Sequence, residues 1–331
     1  MKSARLLTTI PGIPGKFWGD NTELISEKCK EFFSGQQKGK INKHLTALRI
    51  AIEMLKKQED FDVIVVDGGP IGEWFSLLQT LTFYKKRPTL MIDCLWYRSS
   101  NCVVRVIKKI IKKLSARSID KFAVWARHEV EDYSNEFGLP KEKFIYIPFH
   151  NTLAGYSFEI ADEGFLFSGG NGDRDYRTLI EAIRGLDIPV FIAARDKRLF
   201  QGIEIPANVT IQGLTHNEFR KKMAACRIAV VPMEEGLLHS GGQQTFLNSM
   251  AMGKPTIVVG SKVADGYVEN GINGLVVNYK DINGLRKAVT SLWNDNDFRL
   301  RIGRAAEKFA APMTTDGFVR NIFSLAEGLL S

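Results

Sequence analysis

Gly236-Leu237-Leu238-His239-Ser240-Gly241-Gly242-Gln243-Gln244-Thr245-Phe246-Leu247-Asn248-Ser249-Met250-Ala251-Met252-Gly253-Lys254-Pro255 is the stretch on which the fold is decided. It follows an apolar strand, Ile228-Ala229-Val230-Val231, that stops at Pro232. Ser240-Gly241-Gly242 reads as a helix N-cap, with two glycines that let a ligand approach the backbone. Thr245 to Met252 reads as a helix with Phe246, Leu247, Met250 and Ala251 on its apolar side. Gly253 suits a C′ position, and Pro255 forbids continuation before the strand Thr256-Ile257-Val258-Val259. The unit is strand, Gly-rich loop, helix, Gly-x-Pro, strand. Its helix N-terminus offers amides and a positive dipole end to an anion such as a diphosphate.

Working outward, the same pattern recurs. Phe165-Leu166-Phe167-Ser168 runs as a strand into Gly169-Gly170-Asn171-Gly172-Asp173-Arg174-Asp175-Tyr176, with a helix directly behind. An EF-hand reading fails, because the twelfth position is Ala182. Arg174 adds a fork of donors suited to a phosphate, against the alternative of a surface ion pair. Val190 to Arg195 and Val209 to His216 supply two more strands, with Arg195 and Leu214 at their carboxyl ends. His216 reads as a helix start and His239, beside the glycines, as a contact for phosphate or sugar.

The first half alternates in the same way. Leu6 to Ile10 reads as a first strand rather than a signal peptide, with Pro11-Gly12-Ile13-Pro14-Gly15-Lys16 as its loop. A Walker motif is absent, since the first glycine and the Ser/Thr after Gly-Lys are missing. Residues 21–58 read as helical, with an amphipathic stripe of Leu45, Leu48, Ile52 and Leu55. Phe61 to Asp67 is a continuous apolar strand, hence covered on both faces in a parallel sheet. Pro88 to Asp93 is another. In Val103 to Lys121, Val103, Val106, Ile107, Ile110, Ile111 and Leu114 recur at helical spacing, with Arg105, Lys108, Lys109, Lys112 and Lys113 on the other face. Such a basic amphipathic helix suits an anionic membrane surface, with a solvated outer face as the alternative. Nucleic acid is not the expected partner, because aromatic residues are not interleaved with the charges.

Thr245 to Val259, with Asn270-Gly271-Ile272-Asn273-Gly274-Leu275-Val276-Val277 downstream, resembles the C-terminal half of GT-B glycosyltransferases of the GT4-like group. The resemblance covers roughly residues 160–280 well and the first half only loosely. It implies two Rossmann-like α/β domains with parallel sheets facing an interdomain cleft: residues 1–155 for the acceptor, 156–314 for the nucleotide sugar, and 315–331 as a helix crossing back to the first domain. It also implies a donor site of Gly170, Gly172, Arg174, Arg195, Leu214, His239, Ser240, Gly241, Gly242, Gln243, Gln244, Thr245 and Asn248. Gly12, Gly15 and Lys16 would line the acceptor side. One departure stands out: the two glutamates eight positions apart in the family signature are replaced here by Ser240 and Asn248.

At 331 residues with 44% apolar content, the chain suits two soluble domains. Cys29, Cys94, Cys102 and Cys226 show no metal spacing and read as reduced thiols of a cytoplasmic protein. No apolar run spans a bilayer, so any membrane association would be peripheral, on the inner face. The net charge of +8 favours anionic partners. The expected activity is sugar transfer from a nucleoside-diphosphate sugar, a UDP-sugar ahead of a GDP-sugar, to a glycan or lipid-linked acceptor without metal or cofactor. An inverting member would need a general base: Asp93 is the first candidate and Asp67 the second, either one otherwise capping a turn. A non-catalytic sugar-nucleotide- or glycan-binding subunit is the alternative from another class, and a sugar-nucleotide 2-epimerase a weaker one.

Overall fold

The computed structural model describes residues 4–10, 22–25, 29, 32, 40–93 and 102–331. The chain divides into two compact units, Met1–Ile147 with Phe318–Ser331, and Pro148–Gly317.

In the first unit the elements run β1 (Leu6–Thr8), β2 (Thr22–Leu24), α1 (Lys40–Lys57), β3 (Val63–Asp67), α2 (Pro70–Thr82), β4 (Thr89–Ile92), α3 (Cys102–Ser115), β5 (Lys121–Val124), α4 (Arg127–Phe137) and β6 (Phe144–Tyr146). The six strands form a parallel sheet in the order β2-β1-β3-β4-β5-β6. Every residue of β3 is buried, as its unbroken apolar run requires. Gly72 lets α2 start hard against this strand, since a Cβ there would lie 1.9 Å from the Asp67 carbonyl oxygen.

Two expectations are corrected here. Residues 21–58 are not helical throughout, because Thr22–Leu24 pairs as a strand beside β1. The buried stripe of α1 is Ala47, Ile50, Ala51 and Met54, while Leu45 and Ile52 stay exposed. Two apolar stripes overlap on this helix, and the one carrying alanines wins because it allows close packing on α2.

In the second unit the order is β7 (Leu166–Gly169), α5 (Tyr176–Ile183), β8 (Val190–Ala193), β9 (Val209–Gln212), α6 (His216–Ala225), β10 (Ile228–Pro232), α7 (Gln243–Ala251), β11 (Thr256–Val259), α8 (Ser261–Ala264), β12 (Leu275–Val277), α9 (Ile282–Asn294) and α10 (Asn296–Ala310). The parallel sheet is ordered β12-β11-β10-β7-β8-β9. One side is packed by α5 and α9 through Leu179, Ile183, Leu285 and Leu292, all fully buried. On the other, Phe165, Phe167, Met223 and Ala224 close around α6. The last helix, α11 (Thr315–Glu327), places Phe318 against Trp125 of the first unit, ring centroids 5.1 Å apart.

Helix α3 does not bury its apolar side. Val103, Val104, Val106, Ile107, Ile110 and Ile111 are all between 41% and 61% exposed. The helix is held through its C-terminal end, where the Thr80 hydroxyl donates to the Leu114 carbonyl at 3.0 Å and Ser118 just beyond donates to the Ser76 carbonyl at 2.8 Å.

Candidate active site

Each sheet reverses its direction of growth once, between β1 and β3 in the first unit and between β7 and β10 in the second. Such switch points, at the carboxyl ends of the strands, leave the crevice in which open α/β sheets take ligands.

At the second switch point Arg174 bridges to Met233, and the Asp175 amide donates to the Pro232 carbonyl at 3.0 Å. The Arg174 side chain is buried. Its Nε donates to the Gly169 carbonyl at 3.1 Å, and Nη1 to the Gly172 carbonyl at 2.9 Å and to Met233 Sδ at 3.0 Å. Nη2 reaches the Thr245 hydroxyl at 3.4 Å, in the first turn of α7. None of these partners is a carboxylate. Burial pulls the guanidinium pKa down, with Tyr176 and Asp173 acting the other way. Gly170, at φ +127°, makes room for the guanidinium, since a Cβ there would lie 2.9 Å from Nε and Nη2.

Gly242 caps α7 at φ +89° and accepts the amides of Thr245 and Phe246. The Gln243 amide nitrogen faces the carbonyls of Ser240 and Gly241 at 3.3 and 3.1 Å, closing the turn. Gly170, Gly172, Arg174, Ser240, Gly241, Gly242, Gln243 and Thr245 therefore lie together at the second switch point. His239, half-buried, precedes this turn.

Other expected residues are directed elsewhere. The Arg195 guanidinium forks onto the Leu214 carbonyl, with Nε at 3.1 Å, and its backbone amide is held by Asn171 Oδ1 at 2.6 Å. Asn248 Oδ1 accepts the Thr152 amide at 2.7 Å. The Thr152 hydroxyl takes Gln244 Nε2 at 2.9 Å, Asn248 Nδ2 at 3.1 Å and Arg220 Nη2 at 3.3 Å. This hub was missed from the sequence, because Thr152 lies far from α7 in a segment without periodicity.

In the first unit, Asp67 is buried at the end of β3. Its Oδ1 accepts the Thr9 hydroxyl at 2.8 Å and Oδ2 the Gly69 amide at 2.8 Å. Burial raises its pKa in spite of these bonds. The Thr9 bond ties the end of β1 to β3 across the first switch point, and the Gly69 bond closes the turn after β3. Asp93, one strand over, is only partly buried and sits at φ +61°, a strained backbone for a residue other than glycine. Trp125 Nε1 donates to its Oδ1 at 2.7 Å, fixing the carboxylate. Gly12, Gly15 and Lys16 lie outside the described residues. Of the basic residues on α3, Arg105, Lys108, Lys109 and Lys113 are exposed. Lys112 is the correction: it is buried and bonded to Glu73 at 3.0 Å, because the helix docks on α2 along that line.

Residues 175–295 match the model of a family described as glycosyl transferases group 1. Comparison with curated proteins by sequence gives no match. Among solved structures, Anabaena Alr3699/HepE in complex with UDP is similar over 98% of this chain and 100% of its own, at 13% identity and a TM-score of 0.73. A glycosyltransferase from Rickettsia africae is similar over the whole of both chains at 14% identity and 0.69. Sucrose-phosphate synthase from Thermosynechococcus elongatus covers 85% of this chain and 78% of its own, at 15% identity and 0.66. The fold is GT-B: two Rossmann-like domains, each a six-stranded parallel sheet between helices. The resemblance to GT4-like glycosyltransferases read from the sequence holds.

Proposed function

We propose that this chain is a metal-independent hexosyltransferase, moving a sugar from a UDP-sugar to a glycan or lipid-linked acceptor. The observation that carries this is Arg174, a buried guanidinium with no carboxylate among its hydrogen bonds, held beside the first turn of α7. An anion there recovers part of the desolvation cost and meets the positive end of the helix dipole. As the glycosidic bond breaks, charge grows on the leaving diphosphate, and a fixed cation with oriented amides stabilises it without reorganising. UDP is favoured because HepE, similar over nearly the full chain, was solved with UDP and with UDP-glucose. Asp93, on its strained strand end, takes the proton of the acceptor hydroxyl, and Asp67 is the structural carboxylate.

The exposed apolar side of α3, with Arg105, Lys108, Lys109 and Lys113 around it, lies on an anionic membrane surface. No helix among the described residues is long and apolar enough to cross a membrane. A second reading has one observation behind it: Gln244 and Asn248 are committed to Thr152, as in a binding subunit that has given up donor contacts.

A thermal-shift screen against UDP, GDP, ADP, CMP and TDP, with Arg174→Ala alongside, tests the site. A diphosphate at a hundred times its Kd adds about 2.7 kcal/mol, which is about 5–10 °C for a unit of this size. UDP should give that shift in the wild type and not in the variant. No shift with any nucleotide would remove the donor site. Slow hydrolysis of the UDP-sugar without acceptor separates the transferase from the binding subunit, which would show none.

A further inference from the structure

We propose that a cavity between α1, α2 and α3 receives the phosphate-bearing end of a lipid-linked acceptor, with the apolar chain leaving along α3. This deepens the glycosyltransferase reading and rests on it. The cavity measures about 440 Å³, within the range of small-ligand pockets. Its walls include Trp74 and Leu77 from α2, Ile111, Lys108 and Lys112 from α3, and His44 from α1.

The charge balance selects an anion. The Lys112 ammonium is spent on Glu73 at 3.0 Å, which also cancels the one carboxylate that the described residues bring to the wall. What remains is Lys108, one turn away and exposed, with which no carboxylate pairs among the described residues. A phosphate is the group that this unbalanced ammonium, in a wall that also carries the His44 imidazole, would hold.

The apolar part has a continuous path. Ile111 belongs both to the cavity wall and to the exposed side of α3. Ile107 and Val103 follow at four-residue steps, each more than half exposed. They extend the same strip by about 12 Å at 1.5 Å per residue. A free sugar phosphate brings nothing to lay along this strip from the cavity, and a neutral lipid brings no anion to the Lys108 that lines it. A prenyl or acyl chain ending in phosphate meets both, and it enters from the surface on which α3 would rest.

Calorimetric titration of the full chain with farnesyl phosphate below its micelle concentration, and with farnesol, tests this. Farnesyl phosphate should bind, and farnesol should bind at least about tenfold more weakly. Leu77→Trp, which fills the cavity, and Lys108→Glu, which reverses the exposed charge, should each weaken farnesyl phosphate by about tenfold or more. Lys108 is on the surface, so its variant remains folded, as an unchanged melting temperature would confirm. Val103→Glu, beyond the cavity, should keep the phosphate preference. Equal binding of farnesol and farnesyl phosphate, no binding at all, or full affinity in both cavity variants would overturn the proposal. The UDP shift, read on the same samples, tells the two readings apart. UDP stabilisation without lipid-phosphate binding leaves the transferase and sinks the cavity. Lipid-phosphate binding without UDP stabilisation does the reverse.

Discussion

His150 shows how one residue sets a pH limit. Its Nδ1 lies 2.9 Å from the Asn151 carbonyl, an acceptor only, so that nitrogen carries the hydrogen. Burial lowers its pKa below the ordinary 6.5, the largest effect on it, while the bond to Asn151 works the other way. The unfolded chain therefore takes up the proton first as pH falls, and stability present above about 6.5 is lost below it. One such group contributes a slope of at most about 1.4 kcal/mol per pH unit. His150→Asn keeps a donor near the Nδ1 position and cannot titrate. Melting curves from pH 7.5 downward should show the variant losing less stability than the wild type; parallel curves would mean that His150 is not the titrating group. Asp93 is the residue on which chemistry is staked. Asp93→Asn should lower transfer by roughly 10²–10⁴-fold, while the UDP-induced shift stays. A variant that transfers at the wild-type rate would take the base role from it.

At the scale of elements, the same few residues decide both packing and what could be read beforehand. Gly303 sits in the middle of α10, and a Cβ there would come 2.4 Å from the Gly253 carbonyl oxygen that ends α7. Helix propensity alone would favour alanine by about 1 kcal/mol. Backbone cannot swing aside as a side chain can, so Gly303→Ala should instead destabilise by about 1–3 kcal/mol, seen as a lower melting temperature. A rise would show that α10 has slack against α7. Nothing in the local sequence reveals this, because the close approach joins residues 50 apart. The α7 unit itself was legible, since its cap, stripe and Gly-x-Pro stop are all local. The stripe of α1 was not: Leu45, Leu48, Ile52 and Leu55 outscore Ala47, Ile50, Ala51 and Met54 in apolar bulk, yet the alanines let α2 close in. Helix α3 departs in another way. Its period was plain, but periodicity does not say whether an apolar side meets protein or is left open. Ile107→Glu with Ile110→Glu should leave the melting temperature within about 1–2 °C, since neither side chain is buried. The same pair should abolish co-sedimentation with anionic vesicles, and a large fall in melting temperature would show instead that the face packs on protein.

Across the whole molecule, two parallel sheets follow from continuous apolar strands alternating with amphipathic helices, which is why the fold class could be read from sequence. The strand orders could not, because a switch point depends on which strand pairs beside β1 or β7, a non-local choice. Asp67 accepting from the Thr9 hydroxyl, and Arg174 Nη1 donating to Met233 Sδ, are the side-chain marks of those choices. The net charge of +8 is likewise one number with two different physical fates. Arg174 is buried, so an anion bound to it is screened little by salt, whereas Arg105, Lys108, Lys109 and Lys113 are exposed, so any anion they attract is screened by the salt around it. Raising the salt from about 0.1 M to about 1 M shortens the screening length from about 10 Å to about 3 Å. Over that range the chain should be released from anionic vesicles while most of its UDP-induced stabilisation survives. Retention on the vesicles at high salt would assign the contact to the apolar strip of α3 alone. Loss of both together would mean that the nucleotide, too, is held by exposed charge, and the role given to Arg174 would fall.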